Sequence, residues 1–368
     1  GLVIGLLMAI FFGWGSYKIS FLDSLLKGYE FISYDSRMRA RTAGVEQMSI
    51  EDVVIIDIDN TSVGPVEEGG LGRYHNWPHA YHGELINTVS SGNPKALLFD
   101  VIFDQENTYK YDLVRALSST SSNTSNDLNE ATNQFLYSND PEKFVTATTN
   151  SSQTYHAIVF EEEDTLNFLP KMFSEPEGYE FSDHIIFGVS DEAKSKLPQA
   201  DRIGNTYVEL LSASKGNGSA NFPQDNDGVI RRAPTAIYFD GADHVYPSLV
   251  MSAVIDILGI KKDGGFDYDF KNNVLNLIDT TDTVVRTIPI DDNGRMYVNY
   301  FGKFQTFYYL PYSYCMDPEM LPPDYWEGKV AFVGASLPGL MDLRNTPVQE
   351  TFAGVEIHAN VMHSILQN

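Results

Sequence analysis

The chain has 368 residues, a formal net charge of −25 and a hydrophobic fraction of 43%. That size and apolar content allow one large folded domain or two ordinary ones, and exclude a disordered chain. The acidic excess sets the surface against nucleic acid and phosphate-rich partners, and the lone Cys315 excludes an intrachain disulfide.

Residues 1–17 carry no charge, and GLVIGLLMAIFFGW at 1–14 is almost wholly apolar. A bilayer span needs about 20 such residues, so 1–17 is predicted as part of a transmembrane helix whose beginning lies outside the sequence. Trp14 and Tyr17 suit the interface belt, with Lys18 just outside it. A signal peptide would need a basic start and a small-residue cleavage site; a buried soluble helix is the other alternative. Residues 18–42 are predicted as a membrane-proximal helix. Leu25, Leu26, Tyr29, Phe31, Ile32 and Met38 recur at mostly helical spacing, and Arg37, Arg39 and Arg41 sit where a helix end favours cations.

Residues 43–368 are predicted as one α/β domain with a mixed, partly parallel sheet flanked by helices. VVIIDI at 53–58 reads as a buried strand, 78–90 as a helix and KALLFDVIF at 95–103 as a second buried strand, a parallel strand–helix–strand unit. The Ser-, Thr- and Asn-rich stretch that follows is predicted as a variable insertion over about 107–184 carrying one or two helices. Strands are expected at 185–189, 207–211 and 229–239, and a helix at 247–259. Antiparallel strands are expected over 266–298 with Asp292-Asn293-Gly294 as a hairpin turn. KVAFVG at 329–334 reads as another buried strand, and 355–366 as a terminal helix.

Several strings hint at chemistry. Asp57-Ile58-Asp59-Asn60-Thr61 after a strand resembles the nucleophile motif of haloacid dehalogenase-like phosphatases, but that chemistry also needs a Lys and a distal acidic pair for Mg²⁺. The distal candidate, 333–336, has no acid before Asp342. Asp225-Asn226-Asp227-Gly228 opens like a calcium loop, yet the twelfth position is Ala236 rather than Glu. A tight turn is the better account. His75, His79 and His82 share a helical face without an HExxH string, and GASLPG at 334–339 lacks the Lys of a phosphate loop. No cofactor and no metal site is expected.

The order of motifs carries more. VVIIDIDNTSV (53–63), HNWPHAYHGELI (75–86), PKALLFDVIFDQ (94–105), DNDGVIRRAP (225–234) and YPSLVMSAV (246–254) appear in sequence. IPIDDNGRMYVNYFG (288–302), EGKVAFVGAS (327–336), LMDLRNTPV (340–348) and AGVEIHANVMHSIL (353–366) follow. Together they resemble the second type of CHASE domain, the extracellular sensor associated with bacterial cyclases, histidine kinases and serine/threonine kinases. The family commonly has Arg after its Trp-Pro segment, where this chain has His79. The resemblance implies an extracytoplasmic sensor anchored in the cytoplasmic membrane, a small-molecule or protein signal, a homodimer, and an output domain outside this chain. An aspartyl phosphatase and a membrane-anchored structural or adhesion domain remain the alternatives. Since ligand crevices form at the carboxyl ends of parallel strands, Asp57, Asp59, Trp77, Asp100, Ser336 and Asp342 are the candidate ligand-binding residues. The helices at 20–41 and 355–366 are expected side by side, with Leu25, Tyr29 and Ile32 against Val361 and Ile365.

Overall fold

The structure, a computed structural model, describes residues 5, 20–103, 141–161, 184–204, 206–337 and 343–367. The centre is a seven-stranded, largely parallel sheet. Its strands are β1 (Ile50–Ile58), β2 (Ala96–Phe99), β3 (Thr154–Glu161), β4 (Arg202–Gly204), β5 (Gly216–Ser219), β6 (Phe307–Pro311) and β7 (Val330–Ala335). Strands β6, β1, β7, β2 and β3 lie side by side and parallel, and β3 pairs further with β5 in parallel and with β4 antiparallel.

The longer described helices are α1 (Ser20–Thr42), α2 (His79–Ser91), α3 (Pro141–Ser151), α4 (Leu249–Leu258) and α5 (Gly354–Gln367). The apolar runs of the strands serve two cores at once. Val53 and Ile55 of β1 and Phe332 of β7 face α4 and α5, while Val54, Ile56 and Val333 face α2 and α3. Period-2 alternation of side chains explains why such strands read as continuous apolar runs. α4 is capped by Ser248, whose hydroxyl accepts from Met251 N–H, and closes on Gly259 in a left-handed conformation.

Some expectations are corrected. β1 and β2 are parallel but not neighbours, because β7, far along the chain, inserts between them; local patterning cannot see such a crossover. The strand at 95–103 is only Ala96–Phe99. Residues 207–211 begin a short helix, Val208–Ala213, rather than a strand, as short apolar runs suit either. Residues 185–189 form only isolated bridges, Ile186 with Val245 and Phe187 with Asp263. Residues 229–239 split into Arg232–Pro234 and Ala236–Phe239, which join different sheets. Within the stretch read as a variable insertion with one or two helices, α3 is such a helix, and the described residues add β3, an unexpected strand of the main sheet. Residues 266–289 do form an antiparallel meander, and the turn at 291–294 returns the chain from Ile290 to Met296 with Gly294 at φ +68°.

The expected packing of α1 on α5 is also corrected. Tyr29 and Ile32 are 65% and 64% exposed, whereas Val361 and Ile365 are buried in the core. The apolar spacing on α1 therefore makes an outward stripe, and the helix meets the domain through other residues. The side chain of Leu25 lies outside the described residues, as does the predicted membrane segment apart from Gly5. Among the described residues no helix is long and apolar enough to cross a membrane.

Candidate functional site

The parallel strands are apolar through the sheet and turn polar as they leave it: Asp57 in β1, Asp100 after β2, Glu161 at the end of β3, Ser336 after β7. A cleft of about 830 Å³ opens at these carboxyl ends. Ile58, Asp100, Glu161 and Ala335 line it from the strands, Arg344 from a short hairpin, and Gly354 and Val355 from the first turn of α5. α5 can begin this close to the sheet because position 334 is glycine. A Cβ built there would stand 2.6 Å from the Cβ of Val355.

Asp57 and Ser336 come together. Ser336 donates its backbone N–H to Asp57 Oδ1 at 2.8 Å and its hydroxyl to Oδ2 at 2.5 Å. Burial pushes the Asp57 carboxyl up to about 6, against the Ser336 bonds, which favour the charged form. Asp59 turns the other way and accepts from the N–H and hydroxyl of Ser62 at 2.8 and 2.6 Å, closing the turn after β1. Trp77 is buried on the α2 side, donating to Gly72 O at 2.9 Å, with its ring 5.1 Å from that of Tyr74, a cleft-lining residue. Asp100 stands on the cleft wall, 3.6 Å from Nε2 of His358 on α5. Asp342 lies outside the described residues. Glu161, Arg344 and Tyr74 were not among the sequence candidates; the acidic run directly after YHAIVF at 155–160 was a readable sign of the first.

The histidines disperse into the core. His79 and His82 of α2 and His156 of β3 surround Phe99, Phe103 and Phe144. Burial lowers His79 to about 4 and His156 to about 3, and holds His82 well below its usual range, so all three are neutral. His82 Nδ1 pairs with the Tyr312 hydroxyl at 2.6 Å. Among the described residues no group of His, Cys, Asp or Glu is arranged to hold a metal ion. Cys315 is buried, and its thiol is pushed up by that burial.

The family model of the CHASE2 domain matches residues 3–368. The chain belongs to the CHASE2 domain family. CHASE2 domains are extracytoplasmic sensor domains of membrane proteins that act in signal transduction. No curated protein and no solved structure matches the chain.

In this CHASE2 domain the DNDGVIRRAP string fastens the incoming helix. Arg231 is 1% exposed and donates to both carboxylate oxygens of Asp35 on α1, and also to Asp225 and Asp227. Its guanidinium lies 4.3 Å from the ring centroid of Phe31 on the same helix. Asp225 also pairs with Arg232, which reaches Asp291 at 2.9 Å. The acids that open like a calcium loop thus serve an arginine.

α5 is fastened as firmly. Glu356 is fully buried, accepting the N–H groups of Gln305 and Thr306 and the Tyr309 hydroxyl, each at 2.9 Å. Burial raises its carboxyl to about 7 against the pull of these donors. Asn360 Oδ1 accepts from Phe301 N–H at 2.9 Å, and His363 Nδ1 lies 3.0 Å from Asp52 at the start of β1.

Proposed function

We propose that this CHASE2 domain is the extracytoplasmic ligand-binding part of a membrane-bound bacterial receptor, and that its signal is taken up in the cleft at the carboxyl ends of the strands. The observation that carries this reading is the position of α5. Its first turn, at Gly354 and Val355, lines the cleft, so an occupant touches α5. A ligand that prefers one placement of that turn shifts α5 against the sheet, a small shear of the kind that output domains read. Residues 1–17 would anchor the receptor in the cytoplasmic membrane, and a cyclase or kinase would follow in the same polypeptide. Such outputs work as pairs, and the exposed stripe of Leu26, Tyr29 and Ile32 on α1 offers a second copy an apolar contact.

The phosphatase alternative is less well supported. Both oxygens of Asp57 are engaged by Ser336, and Asp59 is engaged by Ser62.

The test is a thermal-shift panel of amines, amino acids, carboxylic acids, sugars and nucleosides on the chain and on Ala335→Trp, which fills the cleft. Ligand at a hundred times its Kd stabilises by about 2.7 kcal/mol. At least one class should raise the melting temperature of the wild type and leave the variant unmoved. Equal shifts in both proteins, or none in either, would contradict the proposal.

A further inference from the structure

We infer that the cleft accepts a linear polyamine, with one ammonium group at Asp100 and another at Glu161; the inference rests on the cleft being the ligand site. Several buried or half-buried acids of the fold have partners: Asp57 has Ser336, Asp35 and Asp225 have arginines, Asp291 has Arg232 and Arg295, and Glu356 has three donors. Asp100 and Glu161 differ. Neither carboxylate accepts a hydrogen bond from a described residue, and the closest cation-capable group to Asp100 is His358 Nε2 at 3.6 Å. Oε2 of Glu161 and Nε2 of His358 are both buried without a hydrogen-bond partner. A buried carboxylate oxygen in that condition is costly, and an ammonium donor in the cleft would relieve it.

Spacing gives the shape of the ligand. Strands β2 and β3 are in register with Phe99 opposite His156. Asp100 is one residue past the first and Glu161 five past the second, an offset of four residues, or roughly 13 Å at the rise of a strand. The rest of the lining is largely apolar, with Val101, Ile102, Phe160, Phe222 and Pro223, and includes the neutral amides of Gln199 and Asn221. Two carboxylates in a largely apolar cleft complement a flexible chain of methylenes with amines at its ends. Arg344 also lines the cleft but is already engaged with other groups, and Arg202, opposite Glu161 in the strand pair, is not a lining residue. Among the described lining residues the two carboxylates are the charges without a hydrogen-bond partner.

Calorimetric titration of the full chain with spermidine at about 150 mM salt, where surface attraction is screened, tests this. Putrescine, hexylamine and glutarate serve as comparisons. Spermidine should bind at one site more tightly than putrescine or hexylamine, and glutarate should not bind. Asp100→Asn and Glu161→Gln should each weaken spermidine by at least about tenfold, the scale of one charged hydrogen bond, whereas Asp267→Asn on the exposed surface should not. Absence of spermidine binding, or binding unaltered by both cleft variants, would overturn the inference. Should a compound of another class stabilise the wild type but not Ala335→Trp, the polyamine assignment falls while the cleft remains the sensing site.

Discussion

Arg231 grips Asp35 with two parallel hydrogen bonds, Nε to Oδ1 at 2.7 Å and Nη2 to Oδ2 at 2.8 Å, joining residues 196 positions apart. The pair fixes the helix that enters the domain to the loop that precedes Arg232–Pro234. Replacing Arg231 by Met strands Asp35 and leaves Asp225 with only Arg232. Breaking a buried pair from one side costs about 3–5 kcal/mol, so Arg231→Met should lower the urea midpoint by that equivalent. Arg231→Lys keeps the charge but not the fork and should fall closer to Met than to wild type. A wild-type midpoint in either variant would show that the grip does not stabilise the fold.

The Asp57–Ser336 tie predicts a pH signature. The Asp57 carboxyl is raised to about 6 from an ordinary 3.8, so between those values the folded chain holds a proton that the unfolded chain has released. Its ionisation therefore removes stability as pH rises from 3.8 to 6, by about 1.4 kcal/mol per unit. Asp57→Asn cannot ionise. The unfolding free energy of wild type minus variant should decline across that window and be flat above it. A difference that rises with pH would mean that Asp57 is held as a charge.

His156 should act in the opposite sense. It is fully buried, stacked on Phe99 at 4.9 Å, and neither ring nitrogen has a hydrogen-bond partner. Its folded value of about 3 lies below the ordinary 6.5, so the unfolded chain binds a proton first as pH falls. Stability is lost on acidification through 6.5 towards 3. His156→Phe should match or exceed the wild type at pH 7.5 and lose less below pH 6. Parallel pH profiles from urea unfolding would count against a neutral, unpartnered imidazole.

The stripe on α1 gives a prediction about assembly. Tyr29 and Ile32 are exposed, so Tyr29→Ser and Ile32→Ser should change the stability of the domain by no more than about 0.5 kcal/mol. If the stripe meets a second copy, sedimentation should show a dimer for wild type and a shift towards monomer for the double variant. A dimer that survives both substitutions would place the contact elsewhere.

Much of the sheet was legible because burial on two faces leaves a plain mark. Val53–Ile58, Ala96–Phe99 and Val330–Ala335 are continuous apolar runs, and each is a strand. Their lateral order was not legible, since nothing local to KVAFVG says that it inserts between strands more than 200 residues earlier. Residues 207–211 misled because an apolar run of five suits helix and strand alike. The rule that polar residues gather where parallel strands end pointed to Asp57, Asp100 and Ser336 separately. Nothing in the sequence signalled that Asp57 and Ser336 would bond to each other, and neither is among the residues lining the cleft. Glu161 is hidden because its strand follows a long Ser-, Thr- and Asn-rich stretch that resembles an insertion. The role of Arg231 was hidden by the acids around it, whose spacing resembles a calcium loop while their geometry serves a guanidinium.

Hydrogen exchange tests most directly whether the cleft speaks to the terminal helix. The probe is the panel compound with the largest thermal shift, and the amides to follow are those of α5 at 354–360 and of the loop at 301–306, which Glu356 and Asn360 tie to that helix. Saturating ligand should slow exchange at the first turn of α5 and change it in that loop, and Ala335→Trp should abolish both effects. Protection confined to regions away from 354–360, or unchanged in Ala335→Trp, would contradict a sensor whose ligand acts through α5.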